Sequence, residues 1–156
     1  MKDWYLISNI DDLDSPQLVV YPERVKYNIE KAKEMAGDIL RLRPHVKTNK
    51  TPEVMRMMVD AGIRKFKCAT IAEADILARE NAGDILLAYQ PVGPKVKRLI
   101  ELIRKYPGTK FSCLVDHPVA LTGIQQAFAS EGLTADIFID LNLGMNRTGI
   151  EVSGAL

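Results

Sequence analysis

The sequence predicts an α/β fold built on a parallel sheet, because short β-rich runs alternate with helical patterns along the whole chain. Six strands are predicted, at 18–21, 39–42, 66–69, 85–88, 111–115 and 136–141. Five helices follow the first five strands. A repeat of about 25 residues per βα unit suits either a (β/α)₈ barrel or an open doubly wound sheet, and the pattern alone leaves both possible.

Each predicted helix carries sequence signals at its ends. Proline is favoured in the first turn, where its missing amide hydrogen is not needed, and it stands at the starts Pro22, Pro52 and Pro118. Glycine favours a helix end, and it follows four helical patterns, at Gly37, Gly62, Gly83 and Gly132. The third helix begins with Thr70 and Glu73, the spacing of a capping box in which both side chains accept free amide hydrogens. The fourth repeats apolar residues at helical spacing, at Val96, Leu99, Ile100 and Ile103.

Length and composition indicate one globular unit. The chain has 156 residues, of which 47% are hydrophobic, enough to bury a single core. Six strands are too few to close an eight-stranded barrel. If the barrel interpretation holds, residues 1–156 form the N-terminal portion of a (β/α)₈ barrel whose remainder is absent from this chain. Its exposed sheet edges would then favour association with other chains.

Charge and hydropathy argue against several partners. Lysine and arginine total 21 against 20 acidic residues, and they are scattered, so no basic stripe for nucleic acid is expected. The longest apolar stretches fall far short of the roughly 20 residues that span a bilayer, and the first residues lack a secretory pattern. We therefore expect a cytoplasmic protein without membrane contact. Cys68 and Cys113 lie in apolar runs and are predicted to be buried rather than bridged or metal-bound.

Candidate functional residues follow the predicted strands, because parallel α/β folds place reactive groups at the carboxyl ends of their strands. Lys47 is the principal candidate, since a lysine that ends a buried strand needs a partner or a task. Schiff-base formation is such a task, and positive charge from Arg43 or Lys50 together with partial burial would favour the neutral amine. A solvated or ion-paired lysine is the alternative that chemistry alone leaves open.

Two motifs carry a family resemblance. Residues 43–50, Arg-Pro-His-Val-Lys-Thr-Asn-Lys, resemble the cofactor-lysine segment of the pyridoxal-phosphate (PLP) enzymes of the D-threonine aldolase and D-serine dehydratase family. Residues 144–149, Gly-Met-Asn-Arg-Thr-Gly, resemble a loop of the same family whose arginine lies beside the cofactor ring. The segments between them are similar as well, so the resemblance covers nearly the whole chain.

The resemblance implies a PLP-binding barrel of the alanine racemase type, fold type III, normally followed by a β-rich domain that this chain lacks. It makes Lys47 the catalytic lysine that carries the cofactor as an aldimine, with His45, Thr70 and Arg147 as further cofactor-binding residues. The groups that bind the cofactor phosphate and a divalent metal (Mn, Mg or Zn) would lie beyond residue 156, so no metal ligand is assigned here. A homodimer that acts on a small amino-acid substrate is expected.

The activity implied is that of a lyase acting on D-β-hydroxy amino acids, of the D-threonine aldolase type, which releases glycine and an aldehyde. The fragment itself is expected to be inactive. Alternatives are an enzyme like D-serine dehydratase or an amino-acid racemase, and a non-catalytic PLP-binding protein of cofactor homeostasis. Asn49 stands where the family usually has histidine, and Asn142 where it tends to have a carboxylate, so substrate handling could differ.

The remaining candidates have simpler structural interpretations. His45 could orient the cofactor or only pack, and strand alternation puts it on the side of Lys47. Thr70 has a capping role that already explains it. His117 is predicted as a helix-entry residue and Asp116 as a helix cap rather than a catalytic group. Residues 89–90 could line the mouth of a pocket.

Overall fold

The structure, a computed structural model, describes residues 3–152 and is organised around a four-stranded parallel sheet. The strands lie in chain order, β1 (Lys65–Cys68), β2 (Asp84–Leu87), β3 (Lys110–Val115) and β4 (Asp136–Ile139). The strands are in regular register, with Phe66 opposite Ile85 and Ile85 opposite Phe111. All carboxyl ends of the strands therefore meet at one edge of the sheet, where the candidate residues follow them.

Among the described residues, five α-helices accompany the sheet: α1 (Pro22–Ala36), α2 (Pro52–Asp60), α3 (Ile71–Arg79), α4 (Pro94–Lys105) and α5 (Pro118–Ser130). One helix follows each of β1, β2 and β3, which makes the alternating α/β pattern of the sequence prediction correct. Within residues 3–152, every helix is too short or too polar to cross a bilayer.

The core lies between one face of the sheet and the helices. Alternate residues of β1 and β3 point into it, including Phe66, Cys68, Phe111 and Cys113. Burial raises the pKa of the Cys68 thiol to about 12 and that of Cys113 to about 11, so both remain protonated and unreactive at neutral pH. The prediction that both cysteines are free and buried is confirmed.

The prediction of six strands in one sheet is wrong, because two of them do not form. Residues 18–21 form no strand, and Leu18 is 83% exposed. Tyr21 instead packs edge-on against Trp4, with ring centroids 5.2 Å apart. A β-rich run becomes a strand only where a neighbouring strand can pair with it.

The predicted strand at 39–42 is a 3₁₀ turn, Ile39–Arg41. The side chain of Asp38 accepts a hydrogen bond from the Leu40 N–H at 2.8 Å, which stabilises the turn in competition with an extended conformation. Pairing with the sheet comes later, as a single parallel bridge between His45 and Lys67. The candidate segment therefore reaches the edge of β1 three residues later than predicted.

The last predicted strand, 136–141, is interrupted. β4 ends at Ile139, and a separate short ribbon forms from β5 (Leu141–Asn142) and β6 (Ile150–Glu151), which pair in parallel. The loop between β5 and β6 contains the second motif. The two ends of this loop are therefore held together by the backbone pairing of β5 with β6.

Candidate functional site

Lys47 lies in a single 3₁₀ turn, Val46–Thr48, directly after the bridge that joins His45 to β1. Val46 is fully buried and anchors the turn, whereas the Lys47 side chain is exposed. The Lys47 backbone N–H donates to His45 Nδ1 at 3.2 Å. The turn therefore presents the Lys47 amine to solvent at the carboxyl edge of the sheet, and the predicted partial burial of Lys47 is not found.

The two cations expected to act on Lys47 are each paired with a carboxylate. The Arg43 guanidinium donates to both oxygens of Asp84, at 2.7 and 2.8 Å, and the pair is about three-quarters buried. The Lys50 ammonium donates to Glu73. Because these charges are compensated, they fix the segment on the sheet rather than providing free positive charge beside Lys47.

Glu73 connects the Lys47 segment to helix α3. It is only 3% exposed, and besides the Lys50 ammonium its carboxylate accepts the Ala69 N–H at 2.7 Å. Thr70 Oγ1 accepts the Glu73 N–H at 3.1 Å, so the predicted capping box is confirmed, with its glutamate reaching to Ala69. Burial alone would raise the pKa of Glu73, but the hydrogen bonds from Lys50 and Ala69 outweigh it and the pKa is lowered. Glu73 is therefore an anion at neutral pH.

His45 is held in its neutral form. Its pKa lies below the ordinary 6.5, first because partial burial disfavours the cation and then because Lys47 and Lys67 are positive neighbours, while Glu73 opposes the shift. Since Nδ1 accepts the Lys47 N–H, the ring proton is on Nε2. A neutral imidazole with a defined tautomer therefore precedes Lys47 by two residues.

Asn49 contributes a second unusual group to this turn. Its Oδ1 atom is buried and has no hydrogen-bond partner among residues 3–152. A buried amide oxygen without a donor is costly, and such atoms in native structures call for an explanation. The residues of this turn fit the chemistry of PLP, because an exposed lysine amine can condense with its aldehyde and the neighbouring His45 and Asn49 are polar groups able to hydrogen-bond.

Thr70 and Arg147 lie in different surroundings. The Thr70 hydroxyl oxygen is engaged in capping α3, and the residue lines a cavity beside Tyr89. Arg147 is exposed in the loop after β4, at the far edge of the sheet from the Lys47 segment beside β1. With neighbouring strands roughly 4.8 Å apart, three strand spacings separate β1 from β4. The four-stranded sheet therefore brings Lys47, His45 and Thr70 to one end of the carboxyl edge and leaves Arg147 at the other.

The Arg147 loop is shaped by its own polar contacts. Asn142 Oδ1 accepts the N–H groups of Gly144 and Asn146 at 3.1 and 3.0 Å. Gly149 has a φ of +95°, and a Cβ there would lie 2.7 Å from the Asn142 nitrogen, so only glycine fits. The Gly149 N–H donates to Asp116 Oδ2 at 3.0 Å, which ties the loop to the end of β3.

Asp116 was predicted as a helix cap, and this prediction is wrong. The cap of α5 is His117, whose Nδ1 accepts the Val119 N–H at 3.2 Å, so the prediction that His117 enters the helix is confirmed. Gln90 Oε1 accepts the N–H groups of both Asp116 and His117, which orients this turn. The contact between Asp116 and Gly149 spans 33 residues, and sequence spacing gave no signal for it.

Comparisons with known proteins agree with the resemblance. Residues 20–156 match the family model described as alanine racemase, N-terminal domain. The chain is 27% identical over 140 residues to D-threonine aldolase from Arthrobacter sp, a match that covers 88% of this chain and 36% of that protein. It is also 27% identical over 139 residues to D-threo-3-hydroxyaspartate dehydratase from Delftia sp. (strain HT23), with the same two coverages, 88% and 36%.

Solved structures show the same likeness. The crystal structure of D-threonine aldolase from Filomicrobium marinum superposes with a TM-score of 0.81 at 25% identity, covering 91% of this chain and 38% of that one. The D-threo-3-hydroxyaspartate dehydratase of Delftia sp. HT23 gives a TM-score of 0.79 at 27% identity, covering 88% and 36%. The chain spans a little over a third of the length of these relatives.

Proposed function

The chain belongs to the alanine racemase N-terminal domain family, and from that membership we propose that it is the cofactor-lysine part of a PLP-dependent lyase acting on D-β-hydroxy amino acids. PLP is the cofactor expected for this family. The proposed activity is of the D-threonine aldolase type, which cleaves the substrate to glycine and an aldehyde. Residues 1–156 would then be the N-terminal portion of a (β/α)₈ barrel whose other strands complete the active site.

One observation carries the proposal: Lys47 is an exposed lysine on a buried anchor, at the carboxyl edge of a parallel sheet and two residues after a neutral histidine. Reactive groups of α/β barrels occupy this edge. Two flanking ion pairs, Arg43 with Asp84 and Lys50 with Glu73, fix the segment on both sides of the lysine. Such support is what a covalently bound cofactor requires of its lysine.

The proposal gives a separate role to each candidate residue. Lys47 would hold PLP covalently through its amine, and His45 would keep the turn in place by accepting the Lys47 N–H. Thr70 and Arg147 are proposed as further cofactor contacts. PLP, when bound, supplies an electron sink for the bond that breaks at the substrate Cα.

A dehydratase is the second candidate, because the two curated relatives match this chain equally well. The aldolase and the dehydratase are each 27% identical to it, and each match covers 88% of the chain. A dehydratase would remove the Cα proton and release water instead of cleaving the Cα–Cβ bond. We further propose a homodimer and a divalent metal (Mn, Mg or Zn) bound by residues outside this chain.

The first test is covalent labelling of the cofactor lysine. The protein is incubated with PLP and reduced with borohydride, and its peptides are mapped by mass for a pyridoxyl group. We expect the label on Lys47 and its loss in Lys47→Arg. Lys50→Arg is the matched control, because Lys50 is three residues away but is paired with Glu73, and it should keep the label. A label elsewhere, or none, contradicts the assignment of Lys47.

The second test separates the two lyase activities in the protein that contains the complete barrel. D-threonine, D-serine and D-threo-3-hydroxyaspartate are supplied in turn, and glycine, ammonia and the carbonyl product are measured. Glycine from D-threonine supports the aldolase, whereas ammonia with a keto acid from either other substrate supports the dehydratase. If Lys47 is labelled but none of these products forms, the lyase proposal fails while the cofactor assignment stands.

A further inference from the structure

Two polar side chains join three successive loops at the carboxyl edge of the sheet. Gln90 follows β2, and its Oε1 atom accepts the N–H groups of Asp116 and His117 at 3.0 and 3.1 Å. Asp116 follows β3, and its Oδ2 atom accepts the Gly149 N–H at 3.0 Å, in the loop between β5 and β6 that contains Arg147. Each side chain therefore fixes the backbone of the next loop along this edge.

Arg147 lies between two fixed points of its loop. On one side, the Asn146 N–H donates to Asn142 Oδ1 at 3.0 Å, and the two side chains are also bonded to each other at 2.9 Å. On the other side, the Gly149 N–H is held by Asp116. Arg147 is one of only two residues between these points, so their positions set the region that its side chain can reach.

Asp116 is the link between this loop and the body of the sheet. Within residues 3–152, it is the one side chain outside residues 140–151 that hydrogen-bonds to the loop, whose other side-chain bonds are internal. Asn146 and Gly149 have φ values of +55° and +95°, in the left-handed region. Such backbone persists only where the surrounding contacts determine it. The bond from Gly149 to Asp116 is therefore part of what keeps the loop in one conformation.

We propose that Asp116 is a positioning residue for Arg147, which fixes the loop through the Gly149 N–H and thereby places the guanidinium for contact with the cofactor. The inference rests on the proposed function, in which Arg147 is a cofactor contact, and it assigns Asp116 no such contact of its own. Without this hydrogen bond the loop would take several conformations. Cofactor affinity would then fall in proportion to the fraction of molecules in which Arg147 is correctly placed.

The test compares Asp116→Ala with Asp116→Asn in the protein that contains the complete barrel. Alanine removes the acceptor, whereas the side-chain oxygen of asparagine still accepts the Gly149 N–H. PLP affinity is measured by equilibrium titration, and the absorption spectrum of the bound cofactor is recorded. We expect Asp116→Ala to weaken PLP binding about tenfold, the effect of losing one hydrogen bond to a charged group, and to shift the absorption maximum. Asp116→Asn should retain most of the parent affinity.

A second comparison separates positioning from a purely structural role. In an Arg147→Gln background, Asp116→Ala should change PLP affinity by less than about twofold, because the group that it positions is already absent. Gln90→Leu, which releases the Asp116 backbone, should act in the same direction as Asp116→Ala and serves for the same comparison if that variant does not fold. An equal loss of affinity with and without Arg147 overturns the proposal.

Asp136→Ala is the matched control, because Asp136 is an exposed carboxylate at the start of β4, away from the carboxyl edge, and pairs with Lys110 at 3.6 Å. It should bind PLP as the parent protein does. Borohydride labelling of Lys47 is measured in parallel. A labelled Lys47 together with unchanged PLP affinity in Asp116→Ala overturns this inference alone. An unlabelled Lys47 in the parent protein overturns it together with the proposed function.

Discussion

The two edges of the sheet differ in how far this chain packs them. At the β1 edge, Phe66 is fully buried. The segment from Arg43 to Lys50 is joined to β1 by a backbone bridge, and one ion pair each joins it to β2 and to helix α3. At the β4 edge, every strand residue is exposed, including Phe138 at 49%. β4 pairs with β3 on one side, and no strand of residues 3–152 pairs with its other side.

The difference separates the candidate residues into two groups. Lys47 and His45 are positioned by contacts that this chain provides in full, so their arrangement belongs to this part of the fold. Arg147 is positioned by a loop with its own internal hydrogen bonds and one link to Asp116. Lys47 is therefore preorganised within residues 3–152, whereas the Arg147 loop lies beside a sheet edge that no strand of these residues covers.

The largest expected effect compares one phenylalanine from each edge. Phe66→Ala should lower the free energy of unfolding by about 4 kcal/mol, because it leaves a cavity in the closed core. Phe138→Ala should lower it by about 1 kcal/mol, because half of its side chain is already in water. Urea denaturation of both variants measures the difference. Equal losses would mean that β4 is covered in solution, and the contrast between the edges would be withdrawn.

A smaller effect is expected from the buried carboxylate of the β1 edge. Glu73→Gln should cost about 2 to 3 kcal/mol, because the amide cannot serve both the Lys50 ammonium and the Ala69 N–H as well as the carboxylate does. Glu101→Gln, at an exposed position of α4, is the control and should be nearly neutral. Thermal unfolding monitored by circular dichroism is the measurement. If Glu73→Gln leaves the unfolding temperature unchanged, the Lys47 segment does not depend on the contacts of Glu73 with Lys50 and Ala69.

At the β4 edge, the corresponding test concerns Gly149. Gly149→Ala places a methyl group against the Asn142 and Leu141 backbone at a positive φ, and we expect a loss of about 2 kcal/mol with amide shifts confined to residues 140–151. Gly123→Ala is the control, since nothing lies within 4 Å of its Cβ position and helix propensity predicts a gain of about 1 kcal/mol. Shifts that extend to His45 or Lys47 would show that the two edges are coupled.

Local signals in the sequence predicted much of the fold. Proline starts at α1, α2 and α5 and the Thr70 capping box are confirmed, because each depends on residues within one turn of each other. β1, β2 and β3 lie within about one residue of their predicted places. The run 18–21 failed because β propensity reports residue type and not the presence of a pairing strand.

The candidate site was predicted in part, for the same physical reason. The motif around Lys47 identified the turn, yet the partners of its flanking cations lie far along the chain, Asp84 41 residues from Arg43 and Glu73 23 residues from Lys50. Charge patterning within a segment cannot reveal such pairs. Lys47 could be singled out from the sequence, whereas the ion pairs on either side of it could be found only in the folded structure.

The smallest expected effect is the pH dependence of the β1 edge. The folded state lowers the pKa of both His45 and Glu73, so for each group the unfolded chain binds more protons and stability falls as the pH falls. The His45 contribution is present above pH 6.5, its ordinary value, and is lost as the pH falls through its lower folded value. The Glu73 contribution is lost below 4.5. Urea midpoints measured from pH 8 to 3 should therefore decline in two steps. His45→Gln should remove the upper step alone, and if that step persists in the variant, the acid sensitivity belongs to a different group.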